Sequence, residues 1–389
     1  MGGGARCKKA FSDSNSERQW NGHAVRAGHE NKAVTMSDQS QQAQNGALAI
    51  QSGRDVIIQH GITPGQMKEI LDAVAAQFPV HLAAAREIVD GRIADFERRV
   101  LERFDDKGNG DGRRAAFADP DFLYVLKQSQ HAYLRSGDEG VRETLIDLIA
   151  RRSKETARSR LSLTLNDAVE KSAVLTSNEF AELSFSYLLG MTMHNGLRNM
   201  DLFAQFVCDM ILPLLPDISR ESASYQYLVA QSCATISQFG QQAFIRIVRL
   251  NYGGLFARGF TMEEVEKCLP DGRKQLAKES ALYVPCLNDP TKIQIAFLNK
   301  DEFDKHAAAH FWKEPEKAAL WGLVDSTTMN GEDLIKHIEA KVPEIRQAIE
   351  VWDNTPLCRL NLTTVGIAIG HSNLVRLGKF KADLGIWIK

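Results

Sequence analysis

Apolar residues recur every three or four positions through most of the chain, and that spacing predicts a mainly α-helical protein. Between Asp119 and about Ser280 the pattern is almost wholly helical, with candidate helices over 120–135, 138–152, 159–174, 177–192, 198–214, 221–239, 241–255 and 261–278. Caps mark some of the starts. Ser177 precedes a run that puts Phe180, Leu183, Tyr187 and Leu188 on one face, and Thr261 precedes Met262. Short connections between these segments imply antiparallel neighbours in a bundle or helical array. The period does not repeat at any fixed longer interval.

The pattern changes at both ends. "LAIQSGRDVIIQ", from Leu48, alternates weakly about Gly53 and Arg54 and is read as two short strands or a β-arch. Thr63 and Pro64 then open a helix with Met67, Ile70, Leu71 and Val74 as its buried stripe, and a second helix is expected from His81 to Phe104. After residue 280, "LYVPCL" and "KIQIAFL" flank the turn Asn288–Thr291 as a hairpin. Helices are expected again at 301–311, 315–325, 331–341 and 343–353. The chain should close with the strand "CRLNL", a helix capped by Thr363 and a last strand "ADLGIWI".

The expected organisation follows from these changes. Residues 1–46, rich in Gly, Ser, Asn, Gln and Arg, form a disordered arm, because they offer too little apolar surface to offset ordering. Met36 offers a second start, so 1–35 reads as an upstream extension. Residues 47–104 hold a β-hairpin and an amphipathic helix pair, 105–118 a flexible linker, 119–280 a helical domain, and 281–389 an α+β domain. The Leu-Thr-x-x-Gly step at Leu362–Gly366 gives that last domain a winged-helix-like reading.

Composition narrows the function classes. The chain has 389 residues and a formal net charge of -2, which disfavours bulk capture of nucleic acid but leaves room for a local basic patch. Six scattered cysteines without a CxxC pair read as free thiols of a reducing compartment. The N-terminus lacks a secretory apolar region, and Arg6 stands where a myristoylation motif wants Ser or Thr. The most apolar run, Leu197 to Leu215, is interrupted by Arg198, Asp201, Asp209 and Pro213. The expectation is a cytoplasmic protein without a membrane span.

Several constellations invite chemistry, and each has a plainer reading. The loop Asp105–Gly112 resembles a calcium loop, but Lys107 and Ala116 occupy ligand positions. His306 and His310 share a helix face without the Glu of zinc proteases or a signalled third ligand. Cys233 has no base placed beside it by the sequence, His194 being the nearest upstream His. Gly253, Gly254 and Gly259 belong to neither a Walker nor a dinucleotide loop and are read as a helix cap and turn. No catalytic residue, metal or cofactor is therefore expected. Arg151, Arg152, Lys154, Arg158 and Arg160 form a candidate phosphate or nucleic-acid patch, or a helix end that complements its dipole. Ile50, Gly53, Val56, Ile57 and Ile58 form a candidate assembly segment, whose β-prone edge would pair with another copy or another protein, or pack as an ordinary hairpin.

Four phrases together, "SKETARSRLSLTLNDA" (153–168), "YQYLVAQSC" (225–233), "YGGLFARGFT" (252–261) and "LTTVGIAIGHSNLVRLG" (362–378), resemble an uncharacterised bacterial family known by locus-tag names. "NGALAIQSGRDVIIQHG" is similar to an N-terminal segment of the "IQAGRDV" type, found on bacterial conflict proteins, although Ala47 and Leu48 replace its polar run. The layout "LIDLIARRS…LTLNDAVEKSAVLTSNEFAEL" resembles abortive-infection proteins of the alpha type. These resemblances imply a non-enzymatic interaction protein, with self-association or a protein partner, in phage defence or another conflict response. The alternative is a nucleic-acid-binding regulator that uses the basic cluster and the winged-helix-like tail.

Overall fold

A computed structural model describes residues 64–105, 115–271, 273, 282–310, 312–378 and 380–389. The expected arm and the assembly segment 47–60 lie outside the described residues. The chain divides into two compact units, residues 1–73 and 74–389. Of the first, the described residues 64–73 are helical. All that follows concerns the second, apart from the opening turns of the first helix.

The architecture is mainly helical, as the periodicity predicts. In chain order it comprises α1 (Pro64–Phe104), α2 (Pro120–Ser136), α3 (Glu139–Arg152), α4 (Arg160–Ser172), α5 (Ser177–Met191) and α6 (Met200–Phe206). A π-helical turn (Val207–Ile211), a 3-10 turn (Leu212–Asp217), α7 (Ser222–Ala230) and β1 (Ala234–Ile236) follow. Next come α8 (Phe244–Tyr252), α9 (Met262–Cys268), β2 (Tyr283–Pro285), β3 (Ile293–Ile295), α10 (Lys300–Ala309) and α11 (Glu314–Thr327). The chain ends with α12 (Gly331–Glu339), α13 (Ile345–Asp353), β4 (Leu360–Leu362) and α14 (Thr364–Arg376).

Helix α5 is the axis of the main core. Every residue from Glu179 to Leu189 is buried, so the helix has no solvent face over three turns. Such all-round burial requires partners on every side. Helix α14 supplies the closest, and its glycines make the approach possible. A Cβ on Gly366 would lie 2.0 Å from the Cys233 carbonyl oxygen, and one on Gly370 would lie 2.7 Å from that of Leu183. Helices α3 and α4 also pack on α14, contributing Leu145, Ile149, Leu165 and Val169.

The last thirteen residues of α1 join the same core through Phe96, Val100 and Phe104. Arg99 pairs with Glu143 at 2.8 Å and Arg103 with Asp147 at 2.9 Å. Upstream, residues 79–91 are exposed on all sides, Val80 and Ile88 included. A single helix runs from 64 to 104 where a pair was expected, with Pro79 inside it. Solvent surrounds Pro79, so water can satisfy the carbonyl group that its ring leaves unpaired.

A second, smaller core gathers Phe260, Val265, Ile295, Phe303, Trp312 and Leu320 around the hairpin β2–β3. The hairpin is antiparallel, with Val284 opposite Gln294, as the turn chemistry of 288–291 predicts.

Other expectations need correction. The helix expected over 221–239 stops at Ala230. Ser232 turns the chain at φ +60°, and Ala234–Ile236 pair antiparallel with Leu360–Leu362. The last strand "ADLGIWI" is instead a 3-10 turn over Leu384–Ile386, in which the Asp383 carboxylate accepts from the Gly385 N–H at 2.7 Å. No strand follows α14 among the described residues, so the wing of the winged-helix reading is not formed there; β4 spends its pairing edge on β1. Residues 281–389 also share their packing with the rest: Leu334, Ala348, Trp352 and Ile367 belong to the same buried cluster as Leu145 and Leu183.

Candidate binding groove

Helix α5 ends at Met191, where Thr192 turns extended and its hydroxyl donates to the Leu188 carbonyl at 2.6 Å. The loop that follows is braced by backbone groups. The His194 N–H donates to Tyr252 Oη at 2.9 Å, the Gly196 N–H donates to His194 Nδ1 at 3.1 Å, and the His194 ring packs on Phe206. Asn199 then caps α6 by accepting from the Leu202 N–H. Helix α6 widens into the π-helical turn Val207–Ile211, a rare geometry that often accompanies functional sites.

The C-terminal segment forms the facing wall. The Trp387 indole N–H donates to the Met191 carbonyl at 2.9 Å, and Leu384 and Ile388 are buried. Between the walls lies an open groove of about 730 Å³, lined by Met193, His194, Leu202, Phe206, Phe380 and Trp387, with Asp209 and Lys381 as its charged groups. Met191, Met193, Leu202 and Ile386 line it too, and they are 39%, 38%, 40% and 62% exposed.

Behind Phe380 and Trp387 lie Tyr187 and His371, both fully buried, and the four rings meet edge to face or tilted at 5.1 to 6.4 Å. His371 Nε2 is 2.8 Å from the Ala382 carbonyl oxygen. That oxygen can only accept, so Nε2 carries the proton and Nδ1 is the bare acceptor of a neutral ring. Burial, reinforced by Arg151, pushes the imidazole down to about 4, against the pull of the Ala382 carbonyl, Asp147 and Asp383. Burial likewise raises the Tyr187 phenol far above its ordinary value. Among the described residues, His371 Nδ1 and Tyr187 Oη have no hydrogen-bond partner. A second cavity, of about 650 Å³ between α1, α3 and α14, is walled by Arg99, Arg103 and Arg376 against Glu143 and Asp147.

The sequence-derived candidates are dispersed. Arg151 is held by Asp147 at 2.7 Å. Arg152 is buried, and its guanidinium contacts Asp121 at 2.6 Å, Asp119 at 3.1 Å, Asn166 Oδ1 at 3.0 Å and the Glu155 carbonyl at 2.9 Å. Lys154, Arg158 and Arg160 face solvent. Cys233 is fully buried, and burial pushes its thiol up to about 11, with Lys171 opposing. His306 and His310 stack at 4.1 Å, and His310 Nδ1 lies 2.9 Å from the His306 carbonyl oxygen. Among the described residues, no group of three or more His, Cys, Asp or Glu side chains is placed to hold a metal ion. None of their helices is singly long and apolar enough to cross a membrane.

Sequence reasoning did not single out the groove. Its signal was the break in periodicity at "MTMHNGL", which marks a loop but not what the loop faces. No curated protein and no solved structure matches the chain. A family model matches residues 61–388, most of the chain, and describes a locus-tag-named, uncharacterised "-like" family; nothing in it points to abortive infection.

Proposed function

The chain belongs to that locus-tag-named family, and from this premise we propose that it is a docking protein whose groove takes an apolar, helix-forming segment of a partner protein. The reading is carried by the convergence of Met191, Met193, Leu202 and Ile386, each more than a third exposed, on one groove. Exposed apolar residues scattered singly carry no meaning, whereas a gathered patch marks a binding surface. Met191, Met193 and Met210 add unbranched side chains that adapt to the anchors of an incoming helix. The conflict-response setting implied by the resemblances is part of the proposal, and deletion of the gene should then alter sensitivity to at least one phage of a broad panel.

The test places a photo-crosslinking residue at Met193 or Leu202 of the full chain, with exposed Leu250 as the control position. The expected result is one partner captured at both groove positions and not at Leu250. Its crosslinked segment, made as a peptide, should bind the wild-type chain and lose about ten-fold or more in affinity to Leu202→Asp, the loss of one buried apolar anchor. Equal capture at Leu250, or peptide binding indifferent to Leu202→Asp, would overturn the reading.

A further inference from the structure

Glu182 lies within α5 with no exposed surface, and its Oε1 has no hydrogen-bond partner among the described residues. Its Oε2 is 3.0 Å from Ser224 Oγ on α7, and the same hydroxyl is 2.9 Å from Glu179 Oε1. A serine hydroxyl has one proton to donate. With both carboxylates ionised, that one proton can lie in line with only one of these two short contacts, beside a Glu182 that is itself fully buried. Such an arrangement is strongly unfavourable at low dielectric. Both contacts are hydrogen bonds only when one carboxyl is itself protonated.

The other donors decide which one. Glu179 Oε2 accepts from the Thr176 N–H at 2.8 Å and the Thr176 hydroxyl at 2.6 Å, in the first turn of α5. Donors at a helix N-terminus favour the ionised form. Glu182, nearly a turn further in, has Ser224 and the backbone of Ser219. The groups facing the pair are Ser224 and Tyr225 from α7, the Ser219 backbone from the preceding turn, and Cys358, which acts on Tyr225 from the 3-10 turn Pro356–Arg359. Arg220, the cation of that preceding turn, is engaged with Glu350 at 2.9 Å on the surface. Among the described residues, no cation is among the groups acting on Glu182. Burial first, and then the Glu179 charge, pushes its carboxyl up to about 8.

We infer that Glu182, Ser224 and Glu179 form a proton-holding latch in the core: Glu182 Oε2–H donates to Ser224 Oγ, the Ser224 hydroxyl donates to Glu179 Oε1, and loss of the Glu182 proton releases α7 from α5. The step is a simple ionisation. The Glu182 O–H bond breaks, its proton passes to hydroxide or buffer base, and two carboxylates then face one hydroxyl. Tyr225 shares the release, because its hydroxyl donates to the Ser219 carbonyl at 2.7 Å in the turn that leads into α7. The latch is separate from the groove and stands without the docking proposal.

The test uses the full chain and hydrogen exchange of the amides from Ile218 to Gln231, corrected for intrinsic rates. Between pH 7 and 9.5, ionisation near 8 should lower wild-type protection about thirty-fold. Glu182→Gln keeps the shape, donates to Ser224 through its amide and has no proton to lose, so its protection should stay constant. In parallel, the infrared carbonyl band of a protonated carboxyl should be present at pH 7, vanish by pH 9.5 and be missing from Glu182→Gln. Wild-type protection that stays constant, or a wild-type spectrum without that band at pH 7, would overturn the latch. The wild-type measurements decide alone if the variant does not fold.

Discussion

The indole N–H of Trp387 donates to the carbonyl of Met191 at 2.9 Å, tying the end of the chain to the end of α5 across 196 residues of sequence. That carbonyl belongs to the last turn of the helix, where backbone acceptors lack intrahelical partners. Trp387 therefore satisfies an orphan group while its ring packs on Tyr187 at 5.1 Å. Trp387→Ala should lower stability by about 2 kcal/mol, less than for a fully buried tryptophan because the ring is partly exposed. It should also weaken partner binding, since the ring walls the groove. Urea unfolding followed by far-UV circular dichroism reads the first effect, and a variant as stable as wild type would show that the segment is not fastened by this contact.

Two glycine substitutions should move stability in opposite directions. Gly366→Ala puts a Cβ on the Cys233 carbonyl, a backbone atom that cannot swing aside. The cost should be about 3 kcal/mol, as α14 is forced away from the turn at Cys233. Gly91 sits on the exposed part of α1, and a Cβ added there would meet nothing within 4 Å. Gly91→Ala should stabilise by about 0.5–1 kcal/mol through helix propensity and the unfolded chain's lost freedom. Thermal midpoints of the two variants, compared with wild type, check both signs at once.

Acid should weaken the fold through His371. Its imidazole titrates near 4 in the folded chain, against the ordinary 6.5 once unfolded. The unfolded chain therefore binds the extra proton between those values, so stability is full above about 6.5 and falls as pH drops toward 4. The whole shift amounts to about 3 kcal/mol. The Glu182 latch works the other way, because a carboxyl held protonated in the fold loses stability as pH rises from about 4.5 to 8. The two slopes should largely cancel between about 4.5 and 6.5, leaving a fall on the alkaline side. His371→Leu should steepen the alkaline trend's reach into acid, and Glu182→Gln should leave only the acid loss. Urea midpoints from pH 4 to 9 distinguish the three chains, and parallel curves for all three would contradict both assignments.

What was legible in the sequence was local. The cap at Thr261, the turn at Asn288–Thr291 and the stripe Phe180, Leu183 and Tyr187 each declare their element, because capping, turn chemistry and helical spacing act within a few residues. The cap of α5 falls one residue earlier than expected, at Thr176, whose hydroxyl and N–H reach Glu179. What the sequence did not carry was long-range. Thr235 and Ile236 continue a helical pattern, yet Ser232 turns the chain so that they pair with residues 126 and 124 positions away. Tyr187 reads as part of an apolar stripe, and no local pattern marks His371 or Glu182, whose partners come from α7, α14 and the C-terminal segment. The groove needs Met193 and Trp387 together, and no local pattern joins them.

The basic cluster yields a last prediction, because the fold splits it. Arg152 makes four polar contacts from a buried position, two of them to Asp119 and Asp121, which cap and follow the start of α2. Removing one partner from a buried charge network leaves the other polar groups unanswered. Asp119 and Asp121 are themselves partly exposed, which moderates the loss. Arg152→Ala should therefore cost about 2–3 kcal/mol and loosen the joint between α2 and α3. Lys154, Arg158 and Arg160 face solvent, so reversing them to Glu should change stability by no more than about 0.5 kcal/mol. If this surface contacts phosphates, that triple reversal should abolish a salt-sensitive shift with DNA or RNA in a folded chain, while Arg152→Ala should weaken it only through unfolding. Binding that survives the triple reversal, or is absent from the wild type, would remove the nucleic-acid reading and leave Arg151 and Arg152 as structural groups of α3.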